Sequence, residues 1–119
     1  MADLTVEARQ IPGCSAVLLS CHGVADAHTF ERLDQAITDA FGTGAVNVIA
    51  DLSDVSYMSS AGLGILIKSQ SEADEAGGAF LLLCPSPQVK ELIETTGMLD
   101  FFVVANSPQE AIKKLGVGG

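Results

Sequence analysis

Cations are scarce in this chain. Its 119 residues include 6 lysines and arginines against 15 aspartates and glutamates, a formal net charge of −9 with a pI near 4.3. A surface of that sign repels phosphate backbones and anionic headgroups, which argues against nucleic acid or a membrane surface as partner. Long apolar runs are missing too: none approaches the roughly 20 residues that cross a bilayer. The opening Met1-Ala2-Asp3-Leu4-Thr5-Val6-Glu7 lacks the basic start and apolar stretch of a secretion signal, so a cytoplasmic chain is expected. Cysteines are few and odd in number (Cys14, Cys21 and Cys84), with no Cys-x-x-Cys pair and no histidine at ligand spacing. Small reduced thiols are expected, not a disulfide framework or a zinc site.

What is abundant is apolar. Hydrophobic residues make up 48% and charged residues 18%, which excludes global disorder, and the length suits one domain spanning residues 1–119. Leu4 to Arg9 alternates as a half-buried strand does, Pro12-Gly13 signals a turn, and Ala16 to Cys21 reads as a more buried strand, together an opening hairpin. From Asp26 the period becomes helical, with Phe30, Leu33, Ile37 and Phe41 on one face beside Ala36 and Ala40. Asp26 is the expected N-cap and Gly42 the expected left-handed terminator. Residues 46–52 predict a central strand, followed by a polar segment over 53–57.

Met58-Ser59-Ser60-Ala61-Gly62-Leu63-Gly64 leads into a second helix, with Leu63, Leu66 and Ile67 inward, ending at Gly77-Gly78. Ala79 to Cys84 predicts a buried strand stopped by Pro85. Ser86-Pro87 opens a helix with Val89, Leu92 and Ile93 inward, closed by Gly97. Phe101 to Val104 reads as a short strand, and Ser107-Pro108-Gln109-Glu110 opens a last helix that turns Ala111, Ile112 and Leu115 inward and ends at Gly116. The order β-β-α-β-α-β-α-β-α predicts a mixed sheet, antiparallel at its start and parallel thereafter through right-handed crossovers.

Catalytic patterns fail on this chain. A nucleophile elbow needs glycine on both sides of the serine, and Met58 holds the leading position if Ser60 is the nucleophile. Gly62-Leu63-Gly64 lacks the third glycine of a dinucleotide loop, and no P-loop lysine follows. Those two glycines are read as allowing close packing at a helix start. Asp51 and Asp54 lack further metal ligands nearby and are read as strand-end and turn residues. Cys21 and His22 are neighbours on a strand and point to opposite faces, so a packed cysteine beside a solvent-facing histidine is expected. His28 is expected to be exposed, and Lys113-Lys114 suits a helix C-terminus. Ser59 and Ser60 remain. Either is explained by helix capping alone, and either could instead accept a phosphate, which a helix N-terminus tolerates.

The run from Asp51 to Gly64 (Asp-Leu-Ser-Asp-Val-Ser-Tyr-Met-Ser-Ser-Ala-Gly-Leu-Gly) resembles the signature of STAS domains, especially bacterial anti-sigma factor antagonists. Gly23-Val24-Ala25-Asp26, Gly77-Gly78, Ser86-Pro87-x-Val89, Thr96-Gly97-Met98-Leu99 and Leu115-Gly116-Val117 extend the likeness over nearly the whole chain. The resemblance implies an α/β domain, a mixed sheet of four to five strands with helices packed largely on one side. It implies a partner that is both anti-sigma factor and serine kinase of the histidine-kinase-like ATPase fold, together with a serine phosphatase. The unphosphorylated antagonist binds that partner and frees the sigma factor; phosphorylation ends the binding. The aligned acceptor is Ser60, and the expected partner-facing residues are Asp26, Ser59, Ser60, Ala61 and Gly62. No catalytic group, metal or cofactor is implied. Two departures stand out: Ser59 replaces the family's aspartate and becomes a rival acceptor, and Val24 replaces a common glutamate. The alternative is a STAS subunit that regulates a transporter ATPase or a signalling complex without phosphorylation.

Overall fold

The computed structural model describes residues 3–11, 16–44 and 47–115. The expected Pro12-Gly13 turn, Cys14, Val46 and the Gly116 terminus lie outside them. Period-two alternation builds β1 (Leu4–Ile11) and β2 (Ala16–Ala25), which pair antiparallel in unbroken register from Leu4↔Gly23 to Ile11↔Ala16. Then follow α1 (Phe30–Gly42), β3 (Asn47–Met58), α2 (Ser60–Ala76), β4 (Ala79–Leu83), α3 (Pro87–Thr95), a 3-10 turn (Leu99–Phe101), β5 (Val103–Ala105) and α4 (Pro108–Lys114). The five strands lie in the order β1-β2-β3-β4-β5, parallel from β2 onward.

Strand residues divide strictly between two cores. Val17, Leu19 and Cys21 of β2, Val48, Ala50 and Leu52 of β3, and Phe80 and Leu82 of β4 face α1, α2 and α3. Ile49, Leu81, Leu83 and Ala105 face the other way, onto Ala111 of α4. Three helices therefore cover one face, and α4 covers only the β4–β5 end of the other. Each of the last three helices begins with a serine accepting a backbone N–H: Ser59 from Ala61, Ser86 from Val89 and Ser107 from Glu110. A proline occupies the first turn of α3 and of α4, where no partner for its nitrogen is needed.

Several boundaries differ from expectation. The polar segment after the third strand is itself strand: β3 runs on to Met58, with Val55 and Met58 buried. At two points, opposite Ser20–His22 and Gly23–Val24 of β2, β3 carries one residue more than its partner. These bulges space the buried Leu52, Val55 and Met58 three apart, breaking the period-two pattern that would have revealed the strand. α1 ends at Gly42, and the left-handed residue is Gly44 (φ 93°), two positions later. β4 stops at Leu83 because Cys84 turns to φ 47°. Phe101 is in the 3-10 turn, not a strand; it packs edge-to-face on the buried Phe102, ring centres 5.2 Å apart.

Candidate functional site

The ends of β2 and β3 build one surface. Ala25 is opposite Met58 in the parallel ladder, and the Ser59 N–H donates to the Ala25 carbonyl at 2.8 Å. The residues that follow each strand, Asp26 on one side and Ser59-Ser60 on the other, are thereby brought together at the C-terminal edge of the central strands. Open parallel sheets commonly carry their binding sites at that edge.

Ser59 and Ser60 are not equivalent. Ser59 is half-buried, and its hydroxyl accepts the Ala61 N–H at 3.2 Å, closing an end of α2 that would otherwise leave a donor unpaired. Ser60 is the first residue of α2 and is exposed. It sits at the positive end of a 17-residue helix dipole. Ala61 is half-buried beside it.

Gly62 is buried. A Cβ there would meet Met58 Cγ at 2.8 Å and the Ala25 carbonyl oxygen at 2.9 Å, so its hydrogen lets α2 start hard against the strand ends. Gly64 has open space around the same position and is exposed; it serves no close approach, unlike the expectation. Gly62→Ala is therefore expected to cost about 1–3 kcal/mol by overpacking. Urea unfolding tests this: the midpoint should fall at unchanged m-value, and an unmoved midpoint contradicts the packing role.

Asp26 caps a turn that precedes α1, not α1 itself. Its carboxylate accepts the His28 N–H at 2.8 Å and the Thr29 N–H at 3.1 Å, while its carbonyl accepts the Phe30 N–H at 2.9 Å. The His28 N–H outweighs desolvation and, with Thr29, holds the Asp26 carboxyl below the ordinary aspartate range. The group is a fixed negative charge at neutral pH. Thr29, which sequence reading passed over, is buried; its hydroxyl donates to the Val24 carbonyl and accepts the Asp26 N–H, pinning the loop. Tyr57 was also overlooked: paired with Val24 and 54% exposed, it presents a large aromatic ring two residues before Ser59. A bulky residue at the end of an otherwise polar strand segment was the available signal.

The neighbouring titratable groups are poor chemistry. Burial, aided by the negative charge of Asp51, pushes the Cys21 thiol up to about 12, so it is not a nucleophile at neutral pH. His22 faces solvent as expected, its Nδ1 2.9 Å from Asp54 Oδ2 and its Nε2 4.0 Å from Glu7 Oε1. His28 is exposed. Among the described residues no group of three or more His, Cys, Asp or Glu is arranged to hold a metal ion. No described helix is long and apolar enough to cross a membrane.

Comparison with known proteins matches the same arrangement. A family model of the STAS domain matches residues 5–111. The chain is 31% identical over 96 residues to BtrV of Bordetella bronchiseptica, a candidate anti-sigma factor antagonist, covering 80% of this chain and 83% of BtrV. It is 26% identical over 102 residues to the anti-sigma F factor antagonist of Lysinibacillus sphaericus, covering 85% and 87%. Its fold is that of the anti-sigma factor antagonist SpoIIAA, solved unphosphorylated (TM-score 0.77, 22% identity, 97% of this chain and 100% of the other). The phosphorylated Bacillus SpoIIAA is also similar (TM-score 0.69, 24% identity, 92% and 98%). With its signature segment forming the junction of β3 and α2, this chain belongs to the STAS domain family.

Proposed function

We propose that this chain is an anti-sigma factor antagonist whose binding is switched off by phosphorylation of Ser60. The names of its relatives support the antagonist role. The observation that carries the switch is the division of labour between the two serines: Ser59 spends its hydroxyl on capping, and Ser60 is exposed at the helix start. The free N–H groups and dipole of that turn accommodate a phosphate without rebuilding the fold. In this reading Asp26, Ser59, Ser60 and Ala61 face the partner, and Gly62 holds them in place from below. The partner is an anti-sigma factor with serine kinase activity of the histidine-kinase-like ATPase fold, and a serine phosphatase restores the binding form.

Incubation with ATP and candidate kinases, followed by intact mass and site mapping, tests the assignment. One phosphate on Ser60, lost in Ser60→Ala and kept in Ser59→Ala, is the expected outcome. A phosphate on Ser59 overturns it. The chain itself supplies no chemistry in this scheme. Rigorously purified protein is expected to hydrolyse ester, peptide and nucleotide substrates at the background rate. Turnover abolished by a point change in this chain would refute that.

A further inference from the structure

We propose that the free edge of β1 is a self-association site, at which two copies pair their β1 strands antiparallel and join their sheets into one. The strand occupies one end of the sheet, runs for eight residues and keeps unbroken register with β2. Natural edges are blunted by shortness, proline, charged side chains (lysine above all) or bulges. The opposite edge, β5, obeys this with three residues. The sequence of β1, Leu-Thr-Val-Glu-Ala-Arg-Gln-Ile, has no proline, lysine or bulge against β2, and its charges are one of each sign, Glu7 and Arg9.

The backbone decides which residues are available. The Asp3 carbonyl accepts the Val24 N–H, so Asp3, Thr5, Glu7, Arg9 and Ile11 form the hydrogen-bonded pairs with β2. Leu4, Val6, Ala8 and Gln10 then direct their N–H and C=O groups outward, and the Leu4 carbonyl does accept the Arg32 guanidinium, at 3.2 Å, on that side. Val6, Ala8 and Gln10 have no backbone partner among the described residues. Beside them, between β1 and α1, runs a groove of about 360 Å³ lined by Val6, Ala8, Gln10, Ala36, Ala40 and neighbouring residues. It has room for side chains from an added strand.

Charge selects a second copy as the occupant, and selects its register. Outward-facing residues must pair with outward-facing residues, which leaves three registers centred on the middle of the strand. Centring on Glu7 sets Glu7 against Glu7 of the other copy. Centring on Arg9 sets Arg9 against Arg9. Centring on Ala8 sets Glu7 against Arg9 and Arg9 against Glu7, in the close pairs where side chains meet best. In that register Ala8 faces Ala8 and Val6 faces Gln10, each pair exchanging both backbone hydrogen bonds. The two charges that would otherwise guard the edge against pairing thus favour one self-complementary arrangement of two-fold symmetry. Each chain has a formal net charge of −9, so long-range repulsion opposes association at low salt, and physiological ionic strength is the condition to use.

Sedimentation equilibrium of the full chain, from micromolar to millimolar, tests this. The wild type is expected to form a dimer in that range. Glu7→Arg and Arg9→Glu each set like charges opposite at both symmetric positions, and each is expected to weaken dimerisation about tenfold or more. Mixing the two variants is expected to restore a heterodimer of wild-type strength, because every facing pair is again opposite in sign. Ala8→Pro removes an outward N–H that β2 does not use and is expected to give a monomer. A chain monomeric at millimolar concentration overturns the proposal. So does a dimer indifferent to all three changes, which would assign association to another surface such as the exposed Leu99, Phe101 and Val103. None of these outcomes depends on the state of Ser60.

Discussion

Phosphorylation of Ser60 is expected to weaken binding to the anti-sigma partner several-hundred-fold while leaving the domain folded. Ser60 is exposed at the first position of α2, so the phosphate meets unpaired N–H groups and the positive helix end, worth about 0.3–1 kcal/mol in its favour. The free protein therefore pays little for the modification. At an interface the balance reverses: a group of about −2 charge must be stripped of water or excluded, at several kcal/mol when no cationic pocket receives it. A loss of about 3–4 kcal/mol corresponds to that several-hundred-fold change, since about 1.4 kcal/mol is tenfold. Ser60→Asp carries one charge on a shorter side chain and should reproduce part of the loss. Ser59→Ala should behave in the opposite sense, costing about 1 kcal/mol of stability through the lost cap. Titrating the unmodified, phosphorylated and Ser60→Asp chains against the anti-sigma factor, beside thermal melts of each, separates the two effects. Equal affinities would refute the switch, and a collapsed melt would mean that the phosphate acts by unfolding.

Gly23→Ala is expected to be the most destabilising small substitution in the chain, at about 3 kcal/mol or more. Gly23 has φ 116°, a conformation that L side chains rarely adopt, and a Cβ there would run into the Asp3 carbonyl. That carbonyl holds the Val24 N–H at 2.8 Å, so the clash falls on the bond that closes the start of β1 onto β2. Neither neighbour can yield cheaply, because both are backbone. The effect should reach the candidate site as well, since Val24 receives the Thr29 hydroxyl that pins the Asp26 loop. Denaturant unfolding measures the loss. A cost below about 1 kcal/mol would show that the strand start relaxes around a methyl group.

Much of this molecule can be read along the chain. The faces of α1 and α3, the serine caps of α2, α3 and α4, and the inward side of β1, β2, β4 and the first half of β3 follow from local periods and from hydrogen-bonding side chains at helix starts. These are interactions within a few residues. The pair Ser59-Ser60 could be singled out in the same way, as could Gly62. Assigning separate tasks to the two serines could not, because capping geometry depends on where α2 begins relative to the end of β3. The second half of β3 was hidden for a related reason: bulges within β3 itself displace the alternation, and a polar outer face looks like a loop until its ladder partners are known.

The sequence alone determined the element order, the acidic surface and the segment that marks the family, because each is written in composition, in period or in contiguous motif. Only the tertiary structure decided that Asp26 and Ser59-Ser60 share one edge, since 33 positions separate Asp26 from Ser59 and the Ala25–Ser59 hydrogen bond closes that gap. It also decided that Gly62 packs beneath that surface while Gly64 does not, and that Val6, Ala8 and Gln10 of the edge strand β1 have no backbone partner among the described residues. Close approach, burial and unsatisfied edges are relations between residues distant in the chain, and no local pattern encodes them.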